Sequence, residues 1–371
     1  MSLTPQTETS ILEQIEEFAE IHIAPKRHEL ITSHQFPKNL WAAFGKSGLS
    51  GLTTPTTYGG LGVNYGTLSK AAYLINKIGG VPGVTMVLMS HWLLAKLHIS
   101  NNASDAVKHD LLPSIVSGNT TLAVAISEPG AGAHPKFLKT TAERSDNNFI
   151  LNGEKTFLTN APLADYFIVL AITSQTETRK EFSAILVPAE SIGLERTDGI
   201  KLDFLHPCPH GGILLKDCTV PTKNLIGVEG QAFEQTSLQM RALEDAVGAS
   251  ALVGGMERLL GDLADKVDSE ASQKTGEVIT QLQTLKVTAL HLATYAEASD
   301  NNLEDLMSLQ LGFRQQSIRC MQTLEELSEL SRGQLQPETT LLARDISKLH
   351  AIAKTAQEAR LTKIGQAYLS S

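Results

Sequence analysis

The sequence predicts an α+β chain in three parts: a helical N-terminal domain over residues 1–118, a middle β-barrel over 119–228 and a C-terminal four-helix-bundle domain over 229–371. Three observations predict this order. Up to about residue 118, apolar residues recur at helical spacing between Gly and Pro breaks. From about 119 to 226 the texture changes to short β-rich runs bounded by turns. From about 229 long amphipathic runs return, and only Gly276, Gly312, Gly333, Pro337 and Gly365 interrupt the last hundred residues. Each part can bury its apolar faces against the next, so helix, sheet, helix is a consistent layering.

The elements follow in order. TETSILEQIEEFAEIHI spaces its apolar residues as a helix and stops at Pro25; FPKNLWAAFGKSGL and DAVKHDLLPSIV repeat the pattern. AAYLINKIGGVPGVTMVLMSHWLLAKLHI is the longest apolar region, but it carries Lys77, His91, Lys96, a Gly pair and Pro82. It reads as two buried helices and not as a membrane span. In the middle part, TTAERS, Asp146-Asn147-Asn148 and FILNGEKTFLT read as strands joined by turns, with Asn152-Gly153 predicting a further tight turn. DYFIVLAI, EFSAILVPA and GGILLKDCTVP are the remaining strand candidates.

Composition narrows the function. The 371 residues are 42% apolar, enough for a large core, and the net charge of −9 comes with scattered Lys and Arg. Such a surface favours neither nucleic acid nor an anionic membrane, and a small-molecule partner is expected. The polar, acidic start MSLTPQTETSILEQIEE has no secretory or transit pattern, so a cytoplasmic location is expected. Cys208, Cys218 and Cys320 are too few for a disulfide framework. His206, Cys208 and His210 alternate in LHPCPHGG, but no fourth ligand is evident and prolines fill the gaps, so no metal is expected. The chain has no GxxxxGK[ST], GxSxG or HExxH, and GAGAHP lacks the third glycine of a dinucleotide-binding turn.

What remains is an ordered set of segments: PKNLWAAFGKSGLSGLTTPTTYGGLG, LLPSIVSGNTTLAVAISEP running into GAGAHP, NGEKTFLTN at 152–160, ADYFIVLA, and LLKDCTVPTKNLIGVEGQAF. Together they resemble the acyl-CoA dehydrogenase family, strongly over residues 20–260. The resemblance implies FAD bound between barrel and bundle, and oxidation of an acyl thioester, on CoA or a carrier protein, to the 2,3-enoyl thioester. It also implies a homodimer or homotetramer and electron transfer to an electron-transfer flavoprotein. Residue by residue, it places the Ser127 hydroxyl and amide on the flavin ring and the Thr159 hydroxyl on flavin N5. Phe157 takes the position of an indole covering the ring, with Leu158 between them. The backbone of Val124, Ala125, Ile126, Ser127, Gly132 and Ala133 lines the flavin edge and pyrophosphate, and Ala133 also approaches the substrate. Gln283, Thr355 and Gln357 fall on further cofactor positions. Amides and hydroxyls of this kind stabilise charge arriving on a reduced ring, and an aromatic plate excludes water.

Dehydrogenation also needs a carboxylate base. Counting from Arg344-Asp345 puts Ala353 and Lys354 where most of the family has Glu-Gly. A minority carries the base on the first long helix of the bundle, and there LEDAVGASALVGG offers Glu244, with Asp245 in place of the family's Arg. Glu244 is therefore the candidate catalytic base, and Glu244 and Asp245 the candidate substrate contacts. A like-charged neighbour raises a carboxylate pKa. Two further departures are Ala133-His134 for the family's Ser-Asp, and SQKTG and LEELSELSRG where subunits of the family share FAD. The alternative kept open is a member of the family that has lost dehydrogenation and serves as a partner subunit or a thioester- or flavin-binding protein.

Overall fold

The computed structural model describes residues 7–298 and 302–370; the first six residues of the polar start lie outside the described residues. The N-terminal part holds α1 (Glu8–His22), α2 (Arg27–Thr32), α3 (Lys38–Lys46), α4 (Tyr65–Gly79), α5 (Pro82–Leu94) and α6 (Asp105–Val116). Local chemistry sets their ends: Thr7 Oγ1 accepts from the Ser10 amide at 3.2 Å to open α1, and Asn64 Oδ1 accepts from the Thr67 amide at 2.8 Å to open α4. The long apolar region is two helices, as predicted, broken where Gly80 takes a left-handed φ of 64° ahead of Pro82. Almost every residue of α5 is buried, which accounts for its unbroken hydrophobicity.

The middle part contains β1 (Leu122–Ala125), β2 (Thr141–Ser145), β3 (Asn148–Thr159), β4 (Tyr166–Gln175), β5 (Lys180–Pro188), β6 (Leu194–Thr197), β7 (His210–Pro221) and β8 (Leu225–Ile226). They form one eight-stranded sheet in the order β6-β7-β3-β2-β4-β5-β8, with β1 parallel to β4. Side chains from β3, β4, β5 and β7, among them Phe149, Phe167, Val187 and Ile213, meet in one core separate from the main one. A sheet whose far strands share a core on one face must curl around it. The turn expected at Asn152-Gly153 is instead part of the continuous strand β3. The register against β7 shifts between Leu151 and Gly153, where Asn152 faces both Lys216 and Asp217, so the extra residue of the bulge lies on β7 and Asp217 takes a positive φ of 48°.

Helices resume with α7 (Gln239–Ala264), followed by α8 (Ser272–Glu297), α9 (Leu303–Glu329), α10 (Pro337–Ala351) and α11 (Lys354–Leu369). Helix α7 is the hub, packing against α4, α8, α9 and α10. Its Gly254 and Gly255 allow the α4 crossing: a Cβ at 254 would sit 2.3 Å from the Tyr73 carbonyl oxygen, and one at 255 would sit 2.7 Å from Asn76 Nδ2. Asn76 Nδ2 donates to the Ala251 carbonyl at 2.8 Å, and Ser69 Oγ donates to Ser250 Oγ at 2.7 Å. These contacts fix the face of α7 that looks towards the sheet. Among the described residues no helix is long and apolar enough to cross a membrane.

Candidate active site

A cavity of about 460 Å³ opens between the sheet and the bundle. The sheet side contributes Ser127 after β1, Phe157 and Thr159 from β3, and His210 from β7. The bundle side contributes Arg241, Glu244 and Asp245 from α7, Arg314 from α9, and Ala353, Gln357 and Arg360 from the α10–α11 corner. Six segments of the chain thus converge on one space.

The sheet wall is built by a loop stitched to β3. The Ser127 carbonyl accepts from the Thr156 amide at 2.9 Å, and Lys155 Nζ donates to the Ile126 carbonyl at 3.0 Å and to Glu128 Oε1 at 2.9 Å. Glu128 accepts further from the amides of Lys139 at 2.7 Å and Thr140 at 3.0 Å. Burial opposes the charge on Glu128, yet Lys155 and Thr140 hold its carboxyl below the usual range; burial lowers the Lys155 ammonium to about 8. The segment from 128 to 132 closes on itself through reciprocal bonds of Glu128 and Gly132, with Gly130 and Gly132 at positive φ. Beyond Lys155 the β3–β7 register shifts again, and Phe157 takes a left-handed φ of 58° that turns its ring out of the sheet core to 44% exposure. A non-glycine residue in that region is strained, and such strain concentrates at functional sites.

The bundle wall carries the acid–base chemistry. Among the described residues neither Glu244 nor Asp245 has a hydrogen bond or ion pair. Both line the cavity, Glu244 half-buried and Asp245 exposed to it. Burial first, and the like charge of Asp245 second, raise Glu244 to about 7, with Arg241 opposing them. Burial also raises Asp245, against the pull of Arg314, Arg241 and Arg360. Arg314 pins the corner: its Nη2 donates to the carbonyls of Leu349, His350 and Ile352 at 3.1, 2.5 and 2.7 Å. A cation on the last carbonyls of α10 also suits the helix dipole. The corner holds Ala353 at a left-handed φ of 57°, so the second strained residue lines the same cavity as the first.

Of the residues singled out in the sequence, Ser127, Phe157, Thr159, Glu244, Asp245 and Gln357 come together here. Ala125 and Leu158 are buried in the sheet core, Val124 and Ile126 lie half-buried beside it, and Gly132 and Ala133 sit on the surface loop outside the cavity lining. Gln283 on α8 and Thr355 on α11 are exposed and do not line it. Sequence reasoning missed the Glu128–Lys155 pair and Arg314, and weighed His210 only as a metal ligand. The first was legible as the Glu of SEP and the Lys of NGEK, both embedded in the two motifs. His206, Cys208 and His210 do not converge: the His206 ring packs edge-on against His34, and His210 Nδ1 bonds the Cys208 carbonyl at 3.2 Å. No group of three His, Cys, Asp or Glu among the described residues is placed to hold a metal ion.

The known proteins that this chain is similar to belong to one family. Residues 5–119 match the family model "Acyl-CoA dehydrogenase, N-terminal domain" and residues 123–218 match "Acyl-CoA dehydrogenase, middle domain". A mitochondrial 2-methylacyl-CoA dehydrogenase from Solanum tuberosum is 32% identical over 234 residues, 62% of this chain and 56% of that protein. The L-prolyl-[peptidyl-carrier protein] dehydrogenase of Pseudomonas fluorescens is 32% identical over 229 residues, 62% of this chain and 60% of that protein. These matches thus span less than two thirds of the relatives' own length. Among solved structures, a glutaryl-CoA dehydrogenase from Mycobacterium smegmatis in complex with FADH2 has the same fold: TM-score 0.83 at 20% identity, covering 99% of this chain and 96% of that one. With both family models matched in order over more than half its length, the chain belongs to the acyl-CoA dehydrogenase family.

Proposed function

We propose that this protein is an FAD-dependent dehydrogenase that removes the α and β hydrogens of an acyl thioester, with Glu244 as the base. The observation that carries this reading is the placement of Glu244, an unpaired carboxylate raised to about 7, in the same cavity as Ser127, Phe157 and Thr159. A general base works best with a pKa near the operating pH. The cavity suits the flavin ring: two hydroxyls and an aromatic face on the sheet side, and a volume of about 460 Å³. Ser127, Phe157 and Thr159 would hold the ring, and Gln357 would support it from the corner. FAD, when bound, supplies the two-electron acceptor for the hydride leaving the β-carbon. Glu244 takes the α-proton; Asp245 sits beside it where the thioester's acyl end would approach, and keeps the carboxylate basic. Ala353 occupies the corner and leaves the base role to Glu244. Gly132 and Ala133 in the surface loop, and Gln283 and Thr355 on the exposed helices, would serve the pyrophosphate and adenosine end.

The thioester would ride on CoA or on a carrier protein, since one relative is named for each. A homodimer or homotetramer, a cytoplasmic location and electron transfer to an electron-transfer flavoprotein complete the reading. The test is anaerobic: protein loaded with FAD is mixed with acyl-CoA and acyl-carrier thioesters of increasing chain length while the flavin absorbance is followed. Bleaching is expected with at least one, and E244Q is expected to slow it by about 10²–10⁴ while still binding flavin. Full bleaching in E244Q would remove Glu244 from the role, and a chain that never binds FAD would end the reading.

A further inference from the structure

The hydroxyl of Thr159 does not stand alone. Thr159 and His210 are cross-strand partners on β3 and β7, and both side chains line the cavity. His210 Nδ1 lies 3.2 Å from the Cys208 carbonyl oxygen, and its Nε2 lies 3.3 Å from Thr159 Oγ1. A carbonyl oxygen has no proton to give, so the ring proton in that contact sits on Nδ1. In the neutral ring Nε2 is then a bare lone pair, and the hydrogen in the second contact can come only from Thr159. Burial first, then the neighbouring His206, favour the neutral ring, against the pull of the Cys208 backbone. The single Thr159 proton is thereby directed along the sheet into His210, and what Oγ1 offers the cavity is its lone pairs.

We propose that His210 is a positioning residue that converts Thr159 from a hydrogen-bond donor into an acceptor towards the cavity. The consequence rests on the flavin reading above. An acceptor at that point suits a ring N–H, which a two-electron-reduced flavin carries at N5 and an oxidised one does not. His210 therefore favours the reduced over the oxidised cofactor and makes the site a better electron acceptor. A threonine free to donate would do the reverse, because its hydroxyl would bond the unprotonated ring nitrogen.

Two measurements test this. The first needs no cofactor: nitrogen-15 NMR of the flavin-free protein, with His210 assigned by its loss in H210F or H210Q. The expected spectrum has a protonated Nδ1 and an unprotonated Nε2, the tautomer that free histidine disfavours; a protonated Nε2 overturns the proposal. The second is the midpoint potential of bound FAD in the parent, H210F, T159V and the double variant, with H210Q replacing H210F if that chain fails to fold. H210F is expected to lower the reduced-to-oxidised ratio roughly tenfold, about 30 mV in a two-electron couple. In the T159V background the same change is expected to do nothing more. An unchanged potential in H210F overturns the tuning role, as does an equal shift with and without the Thr159 hydroxyl. A chain that binds no flavin fails the reading of function and removes the tuning role, while the NMR result still decides the tautomer.

Discussion

Lys155 on β3 is wholly buried and meets Glu128 of the preceding loop, Nζ to Oε1 at 2.9 Å. This ion pair joins the two motifs by which the middle domain was recognised. It stands directly behind the cavity wall, one residue from Ser127 and two from Phe157. Both charges are satisfied: Lys155 also donates to the Ile126 carbonyl, and Glu128 accepts from two backbone amides. Removing one partner of such a pair leaves a buried charge without compensation, typically a cost of about 3–5 kcal/mol. K155M or E128A is expected to show that loss in urea unfolding. The double variant E128Q/K155M is expected to recover a large part of it. Equal losses in single and double variants would mean that the backbone bonds of Glu128, and not the pairing, hold the loop.

Glu244 and Asp245 couple in the opposite sense, charge against charge. The proposed base must be ionised to work, and with a pKa of about 7 only about a tenth of it is ionised at pH 6. Activity is therefore expected to rise through pH 7 and level off above it. D245N removes the like charge, so the rise is expected to move to lower pH, with a several-fold gain at pH 6. The opposite displacement would mean that Asp245 acts through the arginines around it and not on Glu244.

How much of this was legible in the sequence depends on the range of the interaction. The helix, sheet, helix order came from periodicity and breakers, which are local, and so did the splitting of the apolar region at Gly80 and Pro82. The Asn152-Gly153 pair misled because β7 supplies partners on both sides of it, so β3 runs on through the dipeptide and the irregularity falls at Lys216-Asp217 of β7. Ser127, Phe157, Thr159 and Glu244 were found because motif spacing survives in the chain. Arg314 was not, and His210 was weighed only as a metal ligand, since their roles depend on partners 35–38 and 51 residues away along the chain. No local pattern encodes such contacts.

Ala353 and Glu244 line one cavity from two directions, which makes the base position testable by transplantation. Ala353 adopts a left-handed φ of 57°, and its side chain is small enough to leave room for a longer one. Placing a carboxylate there costs little beyond the strain the alanine already bears. E244Q/A353E is expected to regain about a tenth to a hundredth of the activity lost in E244Q, with an altered preference among acyl chain lengths. No recovery, in a variant that folds and binds flavin, would show that the Ala353 direction does not reach the reacting carbon.

Acid sensitivity provides the last expectation. His91 and His98 are completely buried, and neither ring nitrogen of either has a hydrogen-bond partner among the described residues. His91 is packed edge-on against Trp41 and Phe44. Burial lowers both to about 4, with the nearby backbone of Ser50 and Ile115 only partly offsetting it at His91. The unfolded chain binds these protons near 6.5 and the folded chain does not, so stability is whole above that value and falls as pH drops towards 4. The full loss is on the order of 3 kcal/mol for each ring. Glu244 works in the opposite direction between its ordinary 4.5 and about 7, so the comparison belongs in an E244Q background. There, H91F and H98L are each expected to flatten the decline in urea midpoint between pH 6.5 and 4. A decline as steep in the double variant as in its parent would assign the acid sensitivity to other groups.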